Sequence, residues 1–310
     1  MNMRTGQTVV RVNSPTETRN PRTTDIDLLP SSDILRMINA EDRVVPDAVR
    51  EVLPQLAVAV DLAVHALRSG GRVHYVGAGT SGRLAVLDAA ELMPTYNVPP
   101  DLFVVHQAGG EAAFAHALEG AEDDAEAGAS AIERAAGARD FVLGLTASGR
   151  TPYVIGALSA ARRLGATTAL VSANPSNLET CREQADVALA VDTGPEVIAG
   201  STRMKAGSAQ KLVLNAFSTA VMVRLGRTYS NLMVSMQASN AKLRGRTVTI
   251  LREATGADDL TCERALSEAE GEVKTALVTL LAGVDTHRAR QALDEADGHV
   301  RAALSELTHA

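Results

Sequence analysis

Apolar residues follow two rhythms along this chain of 310 residues. Up to about residue 240, short and almost wholly apolar runs alternate with stretches in which apolar positions recur every third or fourth residue. Beyond that point only the second rhythm persists. The helical rhythm opens in DILRMINAED behind Ser31 and Ser32. It continues from Pro46 through DAVREVLPQLAVAVDLAVHALRSGG, which predicts two helices leading into the domain. The apolar runs predict five strands, in RVHYVG, DLFVVH (101–106), DFVLGL, TTALVS and DVALAV. Turns follow these strands, and long helical patterns follow the first, third and fifth. Strands without a polar side need cover on both faces, so the expected fold is α/β, a three-layer αβα architecture with a five-stranded parallel sheet.

Residues 1–24 are rich in Thr, Arg, Asn and Pro without a sustained period, and are expected to form an arm ordered only by docking, outside the core. Residues 25–240 then form the α/β domain with its leading helices, and 241–310 a helical subdomain. That last segment repeats itself: ALSEAEGEVKTAL (265–277) matches ALDEADGHVRAAL (292–304), an offset of 292 − 265 = 27 that aligns Gly271 with Gly298. Two helix-turn-helix units are the simplest source of such a period. They resemble small ubiquitin-associated-type modules, and packing or dimer support is their expected role.

Composition narrows the function. Hydrophobic residues make up 45% and charged residues 22%, enough apolar material to build a substantial core. With 4 Phe, 4 Tyr, no Trp and a net charge of −7, the chain has few rings for base stacking and no cationic field, which argues against a nucleic-acid partner. Cys181 and Cys262 are too few for a disulfide framework and lack the spacing of a structural zinc site. No apolar leader or spanning segment is evident, so neither membrane association nor export is expected, and the protein is expected to be cytoplasmic.

In an open parallel sheet, ligands bind beyond the carboxyl ends of the strands. The turns at that edge share one chemistry: Gly77-Ala78-Gly79-Thr80-Ser81-Gly82, Thr146-Ala147-Ser148-Gly149-Arg150-Thr151, Ser172-Ala173-Asn174-Pro175-Ser176, and Ser201-Thr202. Glycines let backbone amides approach an anion, hydroxyls donate to its oxygens, and the N–H groups of a following helix favour negative charge. Any one such turn is an ordinary cap, but four on one edge, two of them containing Ser-Gly-Arg, point to a shared phosphate site. The candidate phosphate-binding residues are Gly79, Thr80, Ser81, Gly82, Ser148, Gly149, Arg150, Thr151, Ser201, Thr202 and Lys205. Although Gly77, Gly79 and Gly82 satisfy the dinucleotide-binding G-x-G-x-x-G, His106 and Gln107 stand where the ribose-binding acid belongs. A Walker-type Gly-Lys-Ser/Thr is absent as well.

Three glutamates near these turns could transfer protons: Glu91 in LDAAEL, Glu122 in LEGAEDD, and Glu196 in TGPEVIAGST. Residue type alone does not choose among them. The histidines, His65, His74, His106 and His116 among them, offer no i, i+4 pair with a third ligand, so neither a metal nor a cofactor is expected.

At GAGTSGRL, TASGRTP and GSTRMKAGSAQK the chain resembles the sugar isomerase domain family, which holds phosphosugars between Ser/Thr-rich turns of a flavodoxin-like sheet. TETRN, IDLL, INAEDRVVPDAV, LDAAELMPTY, GGE and EGAEDD extend the resemblance, from roughly residue 16 to the C-terminus, to the N-acetylmuramic acid 6-phosphate etherase family within it. The resemblance implies hydrolytic cleavage of a phosphorylated amino sugar, N-acetylmuramic acid 6-phosphate, to N-acetylglucosamine 6-phosphate and D-lactate during cell-wall recycling. It places the two active-site glutamates on Glu91, as acid, and Glu122, as base; Glu196 stays an additional candidate acid or base from its position beside the Ser-Thr turn. Leu92-Met93 departs from the small residues common in the family before Pro-Thr-Tyr, and is expected to alter the packing behind Glu91.

At about 1.5 Å per residue, Glu91 would lie roughly 14 Å along its helix from the turn near Ser81, farther than a hexose reaches. Either the phosphate rests mainly on the later turns, or one subunit's Glu91 completes its partner's pocket, as two-fold symmetry permits; a homodimer with a shared or closely apposed site is expected. Two other readings use the same pocket: an aldose–ketose phosphosugar isomerase with Glu196 as base, and a non-catalytic phosphosugar-sensing regulator similar to glucokinase regulatory protein.

Overall fold

The structure, a computed structural model, describes residues 14–116, 118–236 and 241–309. The first thirteen residues of the expected arm, and the 240/241 boundary, lie outside the described residues. By its contacts the chain separates into two compact units, Met1–Val86 with Phe103–Asn215, and Leu87–Leu102 with Ala216–Ala310.

The first unit opens with α1 (Ser31–Asp42), α2 (Val44–Arg50) and α3 (Leu53–Arg68). The long helix expected from Pro46 onward is therefore two helices. The break at Glu51–Val52 has a local cause: Pro54, in the first turn of α3, has no N–H for the Arg50 carbonyl, and its ring would collide with that carbonyl in a continuous helix. The chain continues through β1 (Val73–Gly77), α4 (Gly79–Tyr96), β2 (Phe103–Gln107), α5 (Ala112–Ala115), α6 (Ala125–Ala135), β3 (Phe141–Thr146), α7 (Pro152–Arg163), β4 (Thr167–Ser172), α8 (Leu178–Gln184), β5 (Val187–Ala190) and α9 (Lys205–Arg224). The five strands form one parallel sheet in the order β2-β1-β3-β4-β5, with Gly77 level with Leu145 and Thr146 level with Ser172. Every residue of β1 and β3 is buried, as the uninterrupted apolar runs require.

Residues 14–23 are more than a loose arm. Ser14, Thr16, Asn20 and Thr23 are buried. Gly200 N–H donates to Thr16 O (2.8 Å), Thr23 Oγ1 to Val197 O (2.8 Å) and Asn20 Nδ2 to Pro195 O (3.3 Å), which fastens the segment to the loop before α9. Elsewhere in the unit, α6 and α7 cross so closely that a Cβ on Gly128 would sit 1.9 Å from Tyr153 O, and one on Gly156 2.0 Å from Ala125 O.

His74 and His106 stack across β1 and β2 with ring centroids 5.2 Å apart. Asp140 takes N–H bonds from Arg72 and Gly137 and lies 3.2 Å from His74 Nε2, while His74 Nδ1 lies 3.0 Å from His106 Nε2. With Asp140 as acceptor, His74 carries its proton on Nε2 and His106 must donate from its own Nε2. Burial, aided by His74, Arg134 and Arg72, pushes His106 down to about 4 from its ordinary 6.5. The unfolded chain takes up this proton as pH falls below 6.5, whereas the folded chain does so only near 4, so stability is lost across that window. This group should account for roughly 2 kcal/mol of the loss between about pH 7 and about pH 5. Urea midpoints of His106→Gln should fall correspondingly less over that interval, and an unchanged pH dependence would remove His106 from the account.

The second unit contains the hairpin β6 (Thr228–Tyr229) and β7 (Leu232–Met233), which the hydrophobic pattern did not announce, and α10 (Ala241–Thr255), α11 (Asp259–Glu268), α12 (Val273–Ala282), α13 (Thr286–Glu295) and α14 (Val300–His309). The sequence repeat appears as α11–turn–α12 followed by α13–turn–α14. Its spacing extends to the caps, where Asp258 accepts from Thr261 N and Asp285 from Arg288 N, again 27 apart (285 − 258). Gly271 and Gly298 take φ of +84° and +74° in the two turns, a conformation only glycine adopts without strain. Matching small residues, Ala265 with Ala292 and Ala276 with Ala303, are buried in the helical core. Among the described residues, no helix is long and apolar enough to cross a membrane.

Candidate functional site

The β2-β1-β3-β4-β5 order reverses direction at β1 and β3, and the turns after β1, β3 and β4 emerge from adjacent strand ends at the carboxyl edge. After β1 the backbone folds tightly onto itself. A Cβ on Gly77 would lie 2.6 Å from Gly82 N, and one on Gly82 would lie 1.6 Å from Gln107 Oε1. Gly79 has φ of +55° where α4 begins, and Ser81 is buried. The first turn of α4 carries no acidic side chain, so its free N–H groups and positive dipole end remain available to an anion. Gln107 ends β2 with its carboxamide packed on this turn, an arrangement that leaves no ribose-binding carboxylate there.

The turn after β3 is built from hydroxyls. Thr146 Oγ1 lies 2.7 Å from Thr151 Oγ1 and 3.3 Å from Ser148 Oγ, which accepts from Arg150 N at 3.2 Å. Gly149 has φ of +73°, and a Cβ there would lie 2.9 Å from Ser172 Oγ. The β4 turn braces this loop, because Asn174 and Asn177 both donate to Ser148 O (3.2 and 3.0 Å) and Arg150 Nη2 donates to Asn177 Oδ1 (2.7 Å). Asn174 lies in the β4 turn, and the bracing role of both asparagines has no local sequence signal because it depends on contacts more than 25 residues apart.

The fourth turn also reaches this edge. A Cβ on Gly207 would lie 3.3 Å from Thr202 O and 3.4 Å from Thr80 Cγ2, so the segment carrying Ser201 and Thr202 meets the β1 turn. Thr80, Arg203, Ser208 and Lys211 line an open cavity of about 360 Å³ at that meeting. Of the two Ser-Gly-Arg arginines, Arg83 donates to the carbonyls of Ala113, Phe114 and His116 at the end of α5, and Arg150 donates through Nη2 to Asn177 Oδ1.

Two of the expected site residues are occupied within the fold. Glu196, fully buried, accepts from Lys205 N (2.9 Å) and Ala206 N (3.0 Å), capping α9; burial raises its pKa against the pull of those N–H groups. The Lys205 ammonium is equally buried and lies 3.0 Å from Glu41 Oε2. Glu41 also receives Arg22 Nε (2.5 Å), Arg22 Nη2 (2.8 Å) and Asn20 Nδ2 (2.9 Å), and these bonds, Arg22's first, hold its carboxyl down at about 2 despite burial. Sequence reasoning missed Glu41, whose partner is 164 residues away.

Glu91 and Glu122 are exposed. Glu91 lies on α4 within the second unit, where its carbonyl accepts from Thr95 Oγ1 (2.6 Å). Leu92 behind it is buried and Met93 is exposed, which locates the departure from the family's small residues half inside and half outside the core. Glu122 lies in the first unit on a single 3-10 turn, Ala121–Asp123, entered through Gly120 at φ of +77°. Asp124 then caps α6 by accepting from Ala127 N (2.8 Å).

Residues 55–162 match the glucokinase regulatory protein N-terminal SIS domain family. Over 270 residues the chain is 62% identical to N-acetylmuramic acid 6-phosphate etherase of Thermobifida fusca (strain YX), covering 87% of this chain and 88% of that one. The protein of that name from Symbiobacterium thermophilum is 54% identical over 269 residues, 87% of this chain and 89% of its own. Among solved structures, a phosphoheptose isomerase from Francisella tularensis is similar with a TM-score of 0.48 and 17% identity, over 63% of this chain and 100% of that chain.

Proposed function

The chain belongs to the N-acetylmuramic acid 6-phosphate etherase family, and from that premise we propose that it breaks the lactyl ether by elimination followed by addition of water, using Glu91 and Glu122. Its activity is that of a carbon–oxygen lyase, which cleaves N-acetylmuramic acid 6-phosphate to N-acetylglucosamine 6-phosphate and D-lactate. The observation that carries the site assignment is the row of hydroxyl- and glycine-rich turns after β1, β3 and β4, with an acid-free α4 N-terminus among them. These turns hold the 6-phosphate through Gly79, Thr80, Ser81, Gly82, Ser148, Gly149, Arg150 and Thr151, joined by Ser201 and Thr202.

An alkoxide at a secondary carbon is a poor leaving group, so direct displacement is slow. Opening the sugar ring supplies an aldehyde that acidifies the hydrogen on carbon 2. Glu122 removes that proton, Glu91 protonates the departing lactate oxygen on carbon 3, and water adds to the unsaturated aldehyde. Each transfer contributes about 10²–10⁴-fold. Glu196 stays outside this sequence because both its oxygens are engaged at the start of α9. Lys205 contributes the position of that helix, its ammonium being committed to Glu41.

The enzyme works as a homodimer in which Glu91 is supplied to the partner's pocket, in the cytoplasm, during recycling of cell-wall sugars. The helical repeat supports the pairing of subunits. Reaction in deuterated water enriched in ¹⁸O tests the chemistry: deuterium at carbon 2 and ¹⁸O at carbon 3 of the product are expected. Oxygen-18 appearing in lactate, with carbon 2 unlabelled, would indicate attack on the lactyl side and end the elimination scheme.

A further inference from the structure

The second unit contains a cavity of about 760 Å³ whose wall includes Arg227 and Lys274. Lys274 Nζ donates to the Gly298 carbonyl at 2.8 Å, bridging the turns of the two repeat copies. Arg227 leads into the β6–β7 hairpin and is half-buried, and among the described residues its guanidinium has neither a hydrogen bond nor an ion pair. Three acids share the wall, but two of them serve another cation: Glu270 and Glu272 lie 3.3 and 3.0 Å from Arg290, and Glu272 also accepts from Thr275 Oγ1 (2.9 Å). The third, Asp294, has no ion pair with Arg227 or Lys274.

Two cations therefore share a partly desolvated wall in which, among the described residues, neither has an ion pair. Burial lowers the pKa of both, and Arg227 helps to push Lys274 down to about 8. Desolvated like charges are unfavourable unless an anion neutralises them, and a guanidinium beside an ammonium presents the forked and point donors that oxyanions accept. The repeat shows how unusual this is: the residue matching Lys274 is Arg301 (274 + 27), and its guanidinium is placed over the Tyr229 ring at 5.0 Å.

We propose that the Arg227–Lys274 cavity is a second anion site, separate from the sheet-edge turns, that takes a small oxyanion of the phosphate class, either free phosphate or a phosphate monoester. The volume leaves room for the organic body of a monoester.

The chain has only four lysines, Lys205, Lys211, Lys242 and Lys274, so amine acylation followed by peptide mass spectrometry reads the site directly. Saturating inorganic phosphate, compared with chloride at equal ionic strength, is expected to slow acylation of Lys274 about tenfold. N-acetylglucosamine 6-phosphate in a parallel arm shows whether the monoester is the better ligand. Lys211, which lines the sheet-edge cavity, reports that site separately, and Arg227→Gln should remove protection at Lys274 while leaving the response of Lys211 intact. Acylation of Lys274 in the unaltered protein at one rate with and without either anion would overturn the proposal. So would full protection in a folded Arg227→Gln variant.

Discussion

Glu91→Gln and Glu122→Gln should each lower lactate release from N-acetylmuramic acid 6-phosphate by about 10²–10⁴-fold, the usual contribution of one positioned proton-transfer group. The loss should fall on kcat, with the affinity for N-acetylglucosamine 6-phosphate nearly unchanged, if the phosphate is held, as proposed, by backbone and hydroxyl groups at the strand ends. Both side chains are exposed, so neither change should alter folding. The two variants should differ in isotope behaviour: if Glu122 removes the carbon 2 proton, Glu122→Gln should stop solvent exchange at carbon 2, while Glu91→Gln should permit exchange without lactate release. The opposite pattern would reverse the two roles. Mixing the variants adds a test of the dimer, since a pocket assembled from two chains regains one intact copy in the hybrid. Absence of any recovery from demonstrated hybrid dimers would rule out the shared pocket.

The second large effect is expected at Lys205. Lys205→Met removes a buried cation from Glu41, and breaking one side of a buried pair typically costs 3–5 kcal/mol. Because Glu41 keeps Arg22 and Asn20, a loss of about 3 kcal/mol, at the lower end, is expected in urea unfolding. Glu41→Gln combined with Lys205→Met should destabilise by less than the sum of the single changes, since the partners share one interaction. If instead the unfolding midpoint held and affinity for the phosphosugar collapsed, Lys205 would be a direct phosphate ligand.

The Lys205–Glu41 pair also marks a limit of what the chain alone reveals. The five strands were legible because β1 and β3 are buried along their whole length and tolerate no polar interruption. The Ser/Thr turns were legible because glycine and hydroxyl residues are needed locally, wherever the rest of the chain goes. Lys205 and Glu196 are candidates, as phosphate ligand and additional acid or base, for one local reason, a cation and an acid beside a Ser-Thr turn. The contacts they make within the fold, to the Glu41 carboxylate and the α9 N–H groups, depend on how the arm, α1 and the loop before α9 converge. The Pro54 break had a visible signal in the sequence that the continuous apolar period outweighed. The β6–β7 hairpin had almost none, being two residues per strand.

The docked N-terminal segment has a practical corollary. Arg22 and Asn20 meet Glu41, and Thr16 and Thr23 bind the loop that presents Ser201 and Thr202. Proteolytic clipping after Thr23 would therefore not merely shorten the polypeptide: it would leave the Glu41 carboxylate with a single cation and untether the loop we propose to hold the phosphate. A clipped preparation should look intact by helix content yet bind phosphosugar poorly, so batch-to-batch differences in activity would trace to the integrity of its first two dozen residues.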